Sequence, residues 1–300
     1  MKKIYIELSD ICHLACSFCP APKGVRGIMP LEAFAHALDS ALMLTKRIAL
    51  HILGDPCALP NLADYLALAH SKGAEIELVT SGAFCHKHRP QTLLSPPIYQ
   101  LSISLEAGID NAIANYATKL APLLAYHLQH PSCFLNLRIQ DTNLYQRPQI
   151  LCDLLRQILP ESTFTPTHNA HHHTHHHTHH QKFCHALSRN AIHTLFDEKG
   201  RIRLWSKAFL IIKSHFTWAG FATMPQKHKS CHALKEQIGI LSDGTIVPCC
   251  MDTQGAINLG NIATTSLQEA LHSPRAVAMK NGFKTQRAIE SLCQHCGFVG

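Results

Sequence analysis

The stretch ICHLACSFCP, residues 11–20, puts three thiols at Cys12, Cys16 and Cys19 and follows them with Pro20. A tight loop with spacings of four and three can wrap one face of a four-iron cluster, since such clusters are held by cysteine thiolates. One iron would then stay open. Core cysteines, or half of a structural zinc site, are the other readings, and zinc would also want a fourth ligand that is not close by. At the far end, Cys231 is followed by twelve residues, Gly244, four residues and Cys249, and the chain closes with Cys293-x-x-Cys296. Cys250 stands directly beside Cys249.

Thirteen cysteines in 300 residues could mean disulfides, but that pattern suits short secreted domains in oxidising compartments. Metal binding fits this chain better. The start, MKKIYIELSD, enters a strand-like alternation without a signal peptide, and no 18-residue uncharged apolar run occurs. A soluble cytoplasmic protein with no membrane partner is expected. The formal charge of +7 is concentrated between Lys182 and Lys235, where ten Lys or Arg face only Asp197 and Glu198. That is charge without a recognised nucleic-acid motif, so a solvated basic face is the simpler reading and a nucleic-acid partner is disfavoured. Residues 168–180 read HNAHHHTHHHTHH, an exposed low-complexity loop able to bind nickel, zinc or copper through neutral imidazoles.

These residues need a frame. With 46% hydrophobic residues the chain can bury a sizeable core, and its first 160 residues alternate strand-like with helix-like segments. Strands are expected at 3–8, 47–53, 75–80, 100–105 and 134–139. Helices are expected between them, one with Pro30 as its first residue and one ending on Gly73. Such repeats make either a doubly wound sheet or a complete or partial barrel, and both place functional loops at the carboxyl ends of strands. The cysteine triplet follows strand one. After about residue 207 the pattern changes: GILSDGTIVPCC predicts a hairpin about Asp243-Gly244, a pair that favours a type I′ turn, and SLQEALHSPRAVAMKNG predicts a helix.

The arrangement CxxxCxFC after the first strand resembles the radical SAM superfamily, with Phe18 at the aromatic position. The resemblance implies that S-adenosyl-L-methionine (SAM) fills the open iron of a [4Fe-4S] cluster held by Cys12, Cys16 and Cys19. HILGDP at 51–56 resembles the family's Gly-Gly-Glu-Pro segment, with Leu53 in place of a glycine and Asp55 in place of the glutamate, so Gly54 and Asp55 would meet the methionyl amino group. TSG at 80–82 stands where the family has Thr-Asn-Gly. ISLEA at 103–107 resembles its Ile-Ser-Leu-Asp-Gly, which implies a SAM contact from Ser104 and puts Glu106 at the acidic position. Arg138 on strand five is a further candidate, facing the SAM carboxylate. The carboxy-terminal spacing resembles the twitch module, the short form of the SPASM extension. It implies that Cys231, Cys249, Cys293 and Cys296 hold an auxiliary [4Fe-4S] cluster, with Cys250 surplus or an alternative ligand; a zinc ribbon is chemically plausible for the same four thiolates.

The implied fold is α/β, a partial (β/α)6 TIM-like barrel over residues 1–206, with a small twitch module of β-hairpin plus helix over 207–300. The implied activity is reductive cleavage of SAM to a 5′-deoxyadenosyl radical that takes hydrogen from a small-molecule or peptide substrate. A low-potential flavodoxin- or ferredoxin-like protein would supply the electron. The alternative is a non-catalytic iron-sulfur, metal-binding or electron-transfer protein. His215, His228 and His232 lie near the second module and could act as acid or base, although surface or core histidine is the simpler reading of each. Cys57, Cys85, Cys133, Cys152 and Cys184 read as small buried hydrophobes.

Overall fold

The structure, a computed structural model, describes residues 1–20, 26–140, 148–159, 197–214 and 217–297. The histidine tract, His215 and Cys184 lie outside the described residues. In chain order the elements are β1 (Lys3–Ile6), α1 (Leu31–Leu42), β2 (Arg47–Ala49), α2 (Leu62–Ser71), β3 (Glu75–Thr80), α3 (Pro90–Leu94), β4 (Ile98–Ser104), α4 (Leu105–Asp110), α5 (Tyr116–Gln129), β5 (Phe134–Gln140), α6 (Pro148–Ile158), β6 (Arg201–Trp205), β7 (Ala208–Lys213), β8 (Gln237–Ile240), β9 (Ile246–Val247), α7 (Leu267–His272), α8 (Pro274–Lys284) and α9 (Ser291–Gln294). The chain divides into two compact units: Met1–Val79 with Pro96–Tyr99 and Phe216–Gly300, and Thr80–Ser95 with Gln100–His215. Both are α/β with mostly parallel strands, and among the described residues the sheet does not close on itself.

In the first unit β1 is central, pairing parallel with β2 and with β8, while β2 continues to β3. Alternation explains the burial: Ile4 and Ile6 are fully buried, and Lys3 and Tyr5, which alternate with them, only half so. The buried positions of α1, Phe34, Ala37, Leu38 and Ala41, recur at helical spacing, so one stripe packs inward against β1 and α2. Each of the larger side chains stabilises by about 1.5–3 kcal/mol on burial. Pro30 is the cap of α1 and not its first residue: its ψ of 149° is extended, and its carbonyl accepts from Phe34 N at 2.9 Å. The β8–β9 hairpin joins this sheet beside β1. Its turn is not type I′, because Asp243 keeps a negative φ and Gly244 alone is left-handed, at +86°. Gly244 N donates to Leu241 O and Leu241 N to Thr245 O, both at 2.9 Å, which is a type I turn closed by a glycine bulge. The long helix expected after the hairpin is broken at Ser273-Pro274. Ser266 caps α7 through a reciprocal box with Glu269, and Ser273 caps α8.

In the second unit β4, β5 and β7 are parallel and β6 runs antiparallel to β7. Helix α5 buries Tyr116, Leu120, Leu123, Leu124 and His127. Trp205 Nε1 donates to His127 Nδ1 at 2.9 Å, so the other ring nitrogen carries the proton it gives to Cys133 O at 2.8 Å. Burial holds this neutral imidazole below the ordinary histidine range. Cys57, Cys85 and Cys133 are buried thiols, and burial pushes Cys133 up to about 12. Cys152 is buried too.

Candidate functional site

Two constellations in the first unit carry the cysteines. Cys12, Cys16 and Cys19 are half-buried in the loop that leaves β1, and Cys19 N turns back on Cys16 O at 3.1 Å. Both ends of the loop are anchored by buried carboxylates. Asp10 accepts the amides of Arg26 and Gly27 at 3.0 and 2.9 Å. Glu7, with no exposed surface, accepts Arg26 Nε and its terminal nitrogen at 3.2 and 2.8 Å and the amides of Leu53 and Ser242 at 3.1 Å each. One carboxylate therefore ties together the segments after β1, β2 and β8. Nothing in the sequence flags Glu7 except an acid inside the alternation IYIEL.

The 51–56 segment lies directly against the cysteine loop. A methyl group added at Gly54 would stand 2.0 Å from Ser9 O and 2.9 Å from Ile11 O, so only glycine permits this approach, and Asp55 N donates to Ile11 O at 3.4 Å. Asp55 is buried, and its Oδ1 accepts the amide of Cys57 at 3.0 Å, capping the turn Pro56–Ala58. Phe18 is half-buried, and its carbonyl accepts the indole N–H of Trp218 at 2.7 Å. That ring also packs against the cluster of Ala219, Met251 and Cys296, so it joins the amino-terminal loop to the carboxy-terminal cysteines.

Those carboxy-terminal cysteines converge. Cys231, Cys249, Cys293 and Cys296 line one pocket, together with Lys229 and apolar side chains such as Met251, Phe283 and Leu292. Cys249 follows β9 and Pro248, Cys293 sits on α9, and Cys231 precedes β8 and accepts Ala233 N at 3.5 Å. The segment after residue 217 runs beside the last cysteine pair: Gly297 N donates to Thr217 O at 3.0 Å and Gly220 N to His295 O at 2.9 Å. Asp252, fully buried, shapes the next turn by accepting the amides of Ala256 and Ile257 at 2.9 and 2.8 Å. Burial pushes the Cys231 and Cys249 thiols up and Cys293 to about 12, and mutual repulsion among these cysteines adds to it. Four cysteines around one pocket are the donor set of a thiolate-held metal centre, an iron-sulfur cluster or zinc. Among the described residues no group of His, Cys, Asp or Glu draws in tightly enough to hold a single metal ion. Cys250 does not line the pocket; with Tyr5 it packs against Ile52, Leu241 and Val247, and it also touches the cluster of Ala219, Met251 and Cys296.

The candidates on β3, β4 and β5 from Thr80 on belong to the second unit, and the histidines His228 and His232 to the first. Ser104 and Arg138 are direct cross-strand partners in the β4–β5 ladder, which puts them side by side on one face. Ser104 ends β4 and is the residue before α4. Glu106 is buried and accepts the amide of Gln140 at 2.6 Å. Thr80 and Ser81 cap their own turn by accepting Gly82 N and Ala83 N, each at 3.1 Å. Of the candidate histidines, His232 pairs with Glu236 at 3.3 Å on the surface and His228 is exposed.

Residues 231–297 match the SPASM iron-sulfur cluster-binding domain. A PqqA peptide cyclase of Ruegeria pomeroyi is 30% identical over 104 residues, a stretch that spans 33% of this chain and 28% of that relative. Among solved structures, BtrN in complex with AdoMet and 2-DOIA superposes with a TM-score of 0.58 at 17% identity, covering 99% of this chain and 93% of BtrN. SuiB of Streptococcus suis, bound to precursor peptide SuiA, gives a TM-score of 0.61 at 14% identity, over 99% and 69% of the two chains. The chain shares the α/β fold of these two structures, and its carboxy-terminal segment is similar to the SPASM domain.

Proposed function

We propose that this chain is a radical SAM enzyme in which Cys12, Cys16 and Cys19 hold a [4Fe-4S] cluster with one open iron, and Cys231, Cys249, Cys293 and Cys296 hold a second, fully ligated one. The observation that carries the reading is the convergence of four cysteines, up to 65 residues apart in sequence, on one pocket in a chain whose cysteine triplet is braced by the Gly54 segment. When bound, the first cluster and SAM supply one-electron cleavage of SAM and hydrogen-atom abstraction from the substrate.

The chain's own residues have separable tasks. Glu7, Asp10 and Arg26 fix where the cysteine loop leaves β1. Gly54 lets the backbone of the GDP segment lie close to that loop, where Gly54 and Asp55 would meet the amino group of SAM. Ser104 and Arg138, adjacent on one sheet face, would contribute a hydroxyl and a cation to the rest of SAM. With four cysteines the second cluster has no open iron, which favours electron transfer over direct substrate ligation. Residues 1–206 would form the SAM-binding core and 207–300 the auxiliary module.

The substrate is a peptide or a small molecule. The similarity to a peptide cyclase and to SuiB with its precursor peptide supports the first, and the similarity to BtrN with 2-DOIA supports the second. We place the chain in the cytoplasm beside a low-potential flavodoxin- or ferredoxin-like donor; among the described residues no helix is long and apolar enough to cross a membrane. Metal analysis after anaerobic reconstitution tests the two-cluster reading. About eight irons per chain should fall to about four when Cys293 and Cys296 are replaced by alanine. Unchanged iron, or zinc in the purified protein, would reject the auxiliary cluster.

A further inference from the structure

Lys229 is only 7% exposed and lines the pocket of the four carboxy-terminal cysteines. Its ammonium donates to Cys296 O at 2.6 Å, and its amide is fixed to Gln286 O at 2.8 Å. Among the described residues that ammonium forms no ion pair with a carboxylate, so its one hydrogen-bond partner is a neutral carbonyl. An ammonium taken out of water is costly unless an anion lies beside it. Two facts therefore stand together: four cysteine sulfurs converge on one pocket, and a buried ammonium with no carboxylate partner lines the same pocket. A four-iron centre held by four thiolates answers both, because in its oxidised form it is a net dianion.

We propose that Lys229 is the buried counter-charge of this cysteine-bound centre and holds its reduction potential above the value the four thiolates alone would give. The inference rests on the auxiliary-cluster reading. Uptake of one electron turns the dianion into a trianion, and a fixed positive charge in a low-dielectric pocket stabilises the trianion more. Lys229 is a positioning and tuning residue rather than a catalytic one, and its effect is to make the second centre a better one-electron acceptor.

The test uses the full chain with Cys12, Cys16 and Cys19 replaced by alanine, so that only the carboxy-terminal centre loads. After anaerobic reconstitution with iron and sulfide, the midpoint potential is read by mediated titration with paramagnetic resonance detection. Loss of iron to a chelator is timed in parallel. Lys229→Gln keeps an N–H donor for Cys296 O and removes the charge, Lys229→Met removes both, and Lys229→Arg keeps the charge. The account expects a lower midpoint and at least about tenfold faster iron loss in both neutral variants, as for an ion stripped of its buried partner, with Arg near the parent. An unshifted midpoint in either neutral variant overturns the assignment while leaving the cluster intact. A parent chain that binds no iron through these cysteines overturns the cluster reading, and the assignment with it.

Discussion

Replacing Gly54 by alanine should damage the amino-terminal cysteine site through backbone geometry alone. The added methyl would lie 2.0 Å from Ser9 O, 2.8 Å from Ser9 C and 2.9 Å from Ile11 O, all main-chain atoms that cannot swing aside as a flexible side chain would. Relief requires moving the strand exit that leads into Cys12, and this exit is pinned by Glu7, Asp10 and Arg26. Overpacking of a tight site costs about 1–3 kcal/mol, and the rigidity here points to the upper part of that range. Urea unfolding of the metal-free chain should therefore show a stability loss of about 2–3 kcal/mol. Reconstituted protein should hold about four irons rather than about eight, with the carboxy-terminal site still loaded. Unchanged stability together with full iron loading would refute the claim that the 51–56 segment braces the cysteine loop.

Other perturbations separate the remaining contacts. Trp218→Phe removes one hydrogen bond, worth about 1 kcal/mol, so alkylation of Cys16 and Cys19 in the metal-free chain should quicken about fivefold; equal rates by mass mapping would remove Trp218 as a brace. Cys250→Ala should leave iron near eight per chain because that residue does not line the pocket, whereas Cys249→Ala should halve it, as metal analysis would show. His127 is held neutral below its ordinary value near 6.5, so the unfolded chain binds more protons there. Stability is complete above about pH 6.5 and falls as pH drops below it, and urea midpoints across that window should flatten in His127→Asn.

Much of the frame was legible because it rests on local periodicity. The alternation KIYIEL and the spacing of Phe34, Ala37, Leu38 and Ala41 give β1 and α1 directly. Strand ends were overestimated: the pattern RIALHIL runs to 53, but β2 stops at Ala49 because Leu53 is drawn off to Glu7 and Gly54 to the cysteine loop. The Asp243-Gly244 hairpin was foreseen, and its turn type was not, since the Asp243 carboxylate accepts Thr245 N at 2.9 Å and favours the type I form. The cysteines announced themselves by spacing. Glu7, Trp218 and Lys229 did not, because their partners lie up to 235 residues away and no local pattern encodes such contacts.

The central claim is that Cys12, Cys16 and Cys19 leave one iron open for SAM. Its most direct test is anaerobic reconstitution of the full chain with iron and sulfide, followed by dithionite and SAM and quantification of 5′-deoxyadenosine. The account predicts 5′-deoxyadenosine well above a Cys16→Ala control treated identically. Equal amounts from the two proteins, with the wild-type chain fully loaded with iron, would contradict it.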